Sequence, residues 1–214
     1  MTLTPQPSRS TLVTRVQNIL MRPTPEWTVI RDEPATVQSL FTGYACILAL
    51  IPAVCGLLAT ALWTAGFGFG LLGPAALIGA VMGYVLGLAG VFVFGLIIEA
   101  LAGGFDSTKD RVQAMKVAVY SATAGWVGGV LSLIPVVGGL LALLAGLYGI
   151  YLLYTGLQQV LATPKDKAIA FTAVSIVIYI VIMVVIGMII GAVTAALAFG
   201  TAVGVAGVGM AAFS

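Results

Sequence analysis

Residues 74–98 read PAALIGAVMGYVLGLAGVFVFGLII, a run of 25 amino acids without a charged side chain. A helix needs about 20 consecutive apolar residues to cross the hydrocarbon core of a bilayer, so this run is long enough to span a membrane. Its apolar residues cover every face of a helix and do not alternate as they would in a strand of a membrane barrel. Since only helices and closed barrels satisfy their backbone hydrogen bonds in lipid, the run predicts a transmembrane helix.

The composition of the whole chain agrees with this prediction. Of the 214 residues, 61% are hydrophobic and 7% are charged, whereas a soluble domain carries about 25% charged residues. A water-soluble fold and a disordered chain are therefore excluded. The chain has no His, which excludes His-ligated zinc, haem with an axial His and nucleophiles activated by His. It has no nucleotide, zincin or nucleophile-elbow motif either, so we expect no catalytic residue, cofactor or metal.

Four further runs resemble the first. They predict an all-α integral membrane protein, with a bundle of five transmembrane helices preceded by short amphipathic interfacial helices. The predicted spans are residues 40–63, 74–98, 117–134, 136–157 and 169–193. Between the third and fourth, Pro135 forms either a tight hairpin or a kink in one passage, and the hairpin fits the length better. The predicted domains are a cytoplasmic arm (1–38), the transmembrane domain (39–195) and a Gly/Ala-rich tail (196–214).

The orientation follows from the positions of the basic residues. With five spans and a cytoplasmic N-terminus, all nine Lys and Arg residues fall on the inner side, in the arm and in two loops. The positive-inside rule therefore predicts that the C-terminus lies outside. The N-terminus lacks the pattern of a signal peptide, so the first span is expected to be an uncleaved anchor. No basic patch suits nucleic acid.

The arm is predicted to form two short amphipathic helices. The apolar stripe of the first contains Leu12, Val13, Val16, Ile19 and Leu20, while the remaining face contains Arg9, Arg15, Asn18 and Arg22. The second helix is expected to begin at Pro25 after a Thr24 N-cap, with Trp27 at the headgroup level. Such helices lie at a membrane interface or form a docking surface for a cytosolic partner, and the two interpretations are compatible.

Rows of small residues mark three spans. They are Gly79, Gly83 and Gly87; Gly125 and Gly129; and Gly187, Gly191 and Ala195. Such rows allow close helix packing, either within one bundle or at the seam of a homodimer. The tail after residue 193 is uncharged and broken by Gly. It predicts a frayed helical extension rather than a sixth span.

The candidate functional residues are Glu99, Lys116, Tyr120, Trp27 and Arg22. Glu99 is the acid nearest the hydrocarbon, and an ionisable group there suggests function. The structural alternative is that Glu99 reaches the headgroups or pairs with Lys116. We expect the pair, together with Tyr120 one turn further on, to lie at the cytoplasmic mouth of the bundle.

Several stretches resemble the bacterial branch of the Yip (Ypt-interacting protein) family. They are Ile19-Leu20-x-Arg22-Pro23-x-x-Glu26-Trp27-x-x-Ile30, Ala114-x-Lys116-Val117-x-x-Tyr120-Ser121-Ala122-Thr123, and Lys165-x-Lys167-Ala168. The resemblance covers about residues 10–195. Relatives tend to carry Pro after the Tyr-Ser-x-Thr stretch, where this chain has Ala124, so a kink in the third helix is not assured.

The resemblance implies a bacterial inner-membrane protein with five helices and a cytoplasmic N-terminus. Eukaryotic members bind prenylated Rab GTPases, but their acidic Asp-Leu-Tyr-Gly-Pro segment is absent here, so Rab binding is not expected. What it implies for this chain is a non-enzymatic role in membrane organisation or in recruiting an unidentified cytoplasmic protein. The alternative is a small carrier or lipid-handling protein that uses a crevice in the bundle. Membrane lipids are expected contacts under both hypotheses.

Overall fold

The computed structural model describes the backbone of residues 11–66, 74–134 and 137–211, and the side chains of residues 11–62, 75–134 and 137–199. Every regular element in these ranges is helical. Four helical stretches are long and apolar enough to cross a membrane: Val37–Leu62, Ala75–Phe105, Val137–Val160 and Lys165–Phe199. They coincide with four of the five predicted spans, and the all-helical fold is confirmed.

The arm contains the two predicted helices, α1 (Leu12–Met21) and α2 (Pro23–Asp32). Thr11 caps α1 by accepting a hydrogen bond from the backbone N–H of Thr14. The prediction for the start of α2 was wrong, because Pro23 and not Pro25 takes the first position and Arg22 precedes it. Proline suits that position since its missing N–H would have no partner there.

The first predicted span is built from three consecutive helical segments. A short α3 (Val37–Leu40) leads into a π-helical turn (Phe41–Ala45) and then into α4 (Cys46–Gly66). Thr36 and Ser39 cap α3 reciprocally through side chain and backbone. The wider turn brings Tyr44 into the core, where only about 5% of its surface is exposed.

The third predicted span is not one helix, which corrects that expectation. After α5 (Pro74–Ala102), a 3₁₀ turn (Gly103–Phe105) and a loop, the chain forms α6 (Arg111–Ser121), α7 (Thr123–Gly128) and a 3₁₀ segment (Gly129–Leu133). The break falls at Ala122 although no proline is present there. The Ser121 hydroxyl donates to the carbonyl of Ala118, and such local bonds compete with the helical ladder and bend helices. Residues 114–121 are buried on all sides, so α6 is the central helix of the bundle.

Helices α8 (Val137–Val160) and α9 (Lys165–Ala211) complete the fold. Gly128 packs against Ala145, and Gly149 against the carbonyl of Ser121. The third segment and α8 therefore lie side by side and antiparallel, as in the predicted hairpin; Pro135 and Val136 lie outside the described residues. Helix α9 continues past residue 193 and through residue 196 without a break, where a frayed extension was expected.

The small-residue rows pack within the bundle at some positions but not at all. A Cβ on Gly79 would lie 2.9 Å from Thr194 Cγ2, and one on Gly129 would lie 2.7 Å from Pro52. Close helix packing is confirmed at these glycines. Among the described residues, nothing lies within 4 Å of a Cβ built on Gly87, Gly125, Gly187 or Gly191.

Candidate functional site

The arm folds back onto the end of the bundle where α2, the start of α6 and the end of α8 meet. The loop after α5 and the start of α9 lie at the same end of the bundle, which we call the charged end. Lys167 pairs there with Asp106, and the backbone N–H of Thr108 donates to the carbonyl of Leu161. The Tyr148 hydroxyl donates to the carbonyl of Leu20 and fastens α1 to α8.

Arg15 lies at the centre of the junction, the region where α1 and α2 of the arm meet α6 and α8. Its Nη1 lies 2.6 Å from Glu26 Oε1, and its Nη2 pairs with Glu33. The residue is 5% exposed, and its guanidinium lies 6.0 Å from the centre of the Tyr120 ring. Arg15 was expected on the polar face of α1, so its burial corrects that expectation. A planar guanidinium with several donors can serve two carboxylates at once, which makes its burial tolerable.

Trp27, which was expected at the headgroup level, anchors the arm to the bundle, and its depth in the bilayer stays a prediction. Its side chain is 0% exposed, and its indole Nε1–H donates to Thr155 Oγ1 on α8 at 3.0 Å. A Cβ built on Gly156 would lie 2.9 Å from the Trp27 ring, so this glycine makes room for it. The face of α2 that carries Trp27 and Ile30 therefore packs on the bundle.

Tyr120 lies between the arm and the first span. Trp27 meets its ring edge-on at 6.3 Å between centroids, and Tyr44 meets it at 4.6 Å. The Tyr44 hydroxyl hydrogen-bonds to Thr123 Oγ1 at 2.8 Å. Three aromatic rings and Arg15 therefore form one buried cluster.

Lys116 binds the end of α2. Its Nζ donates to the carbonyl oxygens of Arg31 at 3.1 Å and of Glu33 at 2.7 Å. These groups belong to the C-terminal turn of α2, where carbonyls lack helical partners and a cation is favourable. Lys116 precedes the predicted third span and is 3% exposed. Burial lowers its pKa, and the nearby carboxylates of Glu33 and Asp110 oppose that shift.

The expected pairing of Lys116 with Glu99 is wrong. Glu99 accepts a hydrogen bond from Arg111 Nε at 2.9 Å. Arg111 is the first residue of α6 and so lies beside the end of α5, whereas Lys116 is more than a turn further along and faces the arm. The exposed Arg111 and the half-buried Glu99 form a rim pair of the kind that contributes little to stability.

Arg22 lies apart from the buried cluster. Its side chain is exposed, and its backbone N–H donates to the carbonyl of Asn18 at the end of α1. Arg31 is also exposed and donates to Asp32, which lowers the pKa of that carboxyl. The structure thus unites Trp27, Lys116 and Tyr120, and leaves Arg22 and Glu99 outside.

Sequence reasoning did not identify Arg15, Glu26 and Glu33 as one group. A signal was present, because Glu26 and Glu33 are seven residues apart, a spacing that places two residues on one side of a helix; in the structure, α2 ends at Asp32 and Glu33 is its C-cap. Both carboxylates are engaged by Arg15. Among residues 11–66, 74–134 and 137–211 there is no group of His, Cys, Asp or Glu suited to a metal. Arg15 joins α1 to α2 through Glu26 and Glu33, and Trp27 and Lys116 join α2 to the bundle. We call these contacts together the latch.

Among the described residues, two clefts lie between the long helices. The larger has a volume of 610 Å³ and lies between α4, α5, α7 and α9. The smaller has a volume of 460 Å³ and lies between α5, α6, α8 and α9. Both are bordered by Ala122, Gly125 and Tyr179, next to the break in the third segment.

These features define a helical, multi-span membrane protein whose N-terminal arm is latched to one end of its bundle. The Yip1 domain family matches residues 18–187, and the chain therefore belongs to the Yip1 family. The chain is 28% identical over 172 residues to "Inner membrane protein YohC" of Escherichia coli, in strains K12 and CFT073. That match covers 78% of this chain and 88% of the relative. No solved structure matches the chain. The resemblance drawn from the sequence motifs is confirmed.

Proposed function

We propose that this protein is a non-enzymatic scaffold of the bacterial inner membrane that recruits a cytoplasmic protein through its arm. The observation that carries the proposal is the latch, because it fixes the inner face of the arm and leaves the outer face free. That outer face exposes Val13 at 62% and Met21 at 80%, with Arg22 beside them. A preordered surface binds at a lower entropic cost than a disordered tail.

The inner-membrane location is supported by the E. coli relative, which is named as an inner membrane protein. A five-span topology is supported by the antiparallel packing of the third segment on α8 and by the grouping of the charged residues at one end. The third segment is broken, but it is surrounded by the other helices, where irregular backbone is tolerated at membrane depth.

The topology predicts where reporter fusions become active. Fusions after Ser10, Asp110 and Asp166 should report a cytoplasmic location, and fusions after Phe67 and Ser214 an external one, because all nine basic residues then lie inside. Paired alkaline phosphatase and fluorescent-protein fusions make the measurement. A cytoplasmic Ser214 would contradict the odd number of spans.

Recruitment is tested by a photo-crosslinking amino acid placed at Met21 in native membranes. We expect a crosslink to one protein of defined mass, which is lost when Arg22 is changed to Glu. The same group at Val184, an exposed position of α9, is the matched control and should yield only lipid adducts. Lipid adducts alone at Met21 would overturn recruitment and support an arm that lies on the bilayer.

A second candidate function, a carrier or lipid-handling protein, is favoured by the two clefts at membrane depth.

If two copies of the chain associate, Gly187 and Gly191 are the members of the row on α9 that keep open space beside them. Gly79 on α5 is already occupied by α9.

A further inference from the structure

The larger cleft is bounded by uncharged residues of four helical segments. Along α4 it extends from Ala49 to Thr60, which is about 16 Å at 1.5 Å per residue. This is about half the hydrocarbon thickness of roughly 30 Å. The cleft is therefore long and lies within the apolar part of the bilayer, and it offers no charge to an ion or a headgroup.

Three glycines from three helices keep this cleft open. They are Gly56 on α4, Gly87 on α5 and Gly125 on α7. Glycine in membrane helices usually permits close approach of a neighbouring backbone, as it does at Gly79, which also borders this cleft. Among the described residues, however, nothing lies within 4 Å of a Cβ built on any of these three. Close helix packing therefore does not explain why glycine stands at these three positions. What glycine provides there is open space in the cleft.

The medium around the helices determines what enters such a space. An apolar cavity gives water too few polar partners to hold it, and an empty space forfeits dispersion contacts with its walls. Lipid tails surround the bundle and offer flexible, uncharged methylene groups. They match the chemistry of the cleft and its elongated form.

We propose that the larger cleft binds an acyl chain of a membrane lipid. This inference does not depend on partner recruitment, and it names the ligand class for the second candidate function. Trp126 provides a probe, because it borders the cleft and is 9% exposed.

The test is quenching of Trp126 fluorescence by phosphatidylcholine brominated in the middle of its acyl chains. The full chain carries Trp63→Phe, which leaves Trp27 buried at the charged end and Trp126 at the cleft. We expect lower emission in brominated than in unbrominated vesicles, and we expect the difference to disappear when Trp126→Phe is added. Gly87→Leu and Gly56→Leu should each remove most of the quenching, because the new side chain takes up space in the cleft while its Cβ meets no neighbour.

Gly187→Leu is the matched control, since it adds the same side chain to an exposed glycine outside the cleft. It should leave the quenching unchanged. The proposal is overturned if Trp126 emission is equal in the two lipids, or if neither filling variant reduces the quenching while both keep the helical circular dichroism of the parent. Either result would leave recruitment by the arm untouched, because the crosslink at Met21 reports on the arm, which does not border the cleft.

Discussion

Arg15→Ala is expected to destabilise the detergent-solubilised protein by about 3–5 kcal/mol, the usual cost of removing one partner from a buried ion pair. The substitution leaves Glu26 buried at the junction without its cation and releases Glu33. Thermal or denaturant unfolding followed by circular dichroism measures the loss. The double variant Arg15→Ala/Glu26→Ala should lose less than the sum of the single variants, because the two residues are coupled.

Two matched variants make this test specific. Arg22→Ala removes an exposed arginine from the same arm and should leave the unfolding midpoint unchanged. Arg15→Lys keeps the charge but loses the fork that reaches both carboxylates, so its stability should fall between the parent and Arg15→Ala. Equal midpoints for Arg15→Ala and Arg22→Ala would show that the buried pairs do not hold α1 against α2.

The sequence was sufficient to predict the helical class and the positions of the long spans. In lipid, the length of an uninterrupted apolar run is itself the structural requirement. That requirement is local, so residues 74–98 could be assigned without knowing what packs against them. The family was also recognisable from the motifs of the arm and the third helix, and the match of the Yip1 domain to residues 18–187 confirms it.

The junction could not be predicted because it depends on contacts between distant parts of the chain. Helical periodicity assigned Arg15 to the polar face of α1, whereas it is buried together with Ile19, and this burial depends on acids 11 and 18 residues later. Lys116 likewise donates to backbone carbonyls at the end of α2 and does not pair with the nearest acid in sequence.

The break at Ala122 could not be predicted from the sequence either. Neither Gly nor Pro is present at Ala122, and an uninterrupted helix was the reasonable expectation. The interruption coincides with a local Ser121 hydrogen bond and with the two clefts that meet at Gly125. A deviation of this kind from local preference is typical of functional sites.

Trp27→Ala is expected to release the arm, with a destabilisation of about 3–5 kcal/mol, as for other fully buried tryptophans. The indole loses its contact with Tyr120 and its hydrogen bond to Thr155. Limited trypsin digestion in detergent should then cut after Arg15 much faster than in the parent, because Arg15 is buried in the parent and becomes accessible. The predicted spans should stay protected, because residues 40–63, 74–98, 117–134, 136–157 and 169–193 contain no Lys or Arg.

The partner surface on α8 gives an independent approach to the same contact. Gly156→Val places a methyl-bearing Cβ against the Trp27 ring and should reproduce both the lower unfolding midpoint and the faster cleavage. Gly139→Val makes the same change on the same helix at an exposed glycine with open space, and it should do neither. If Gly156→Val matched Gly139→Val in cleavage rate, Trp27 would not be seated on α8, and the arm would be held to the bundle by the hydrogen bonds of Lys116 and Tyr148.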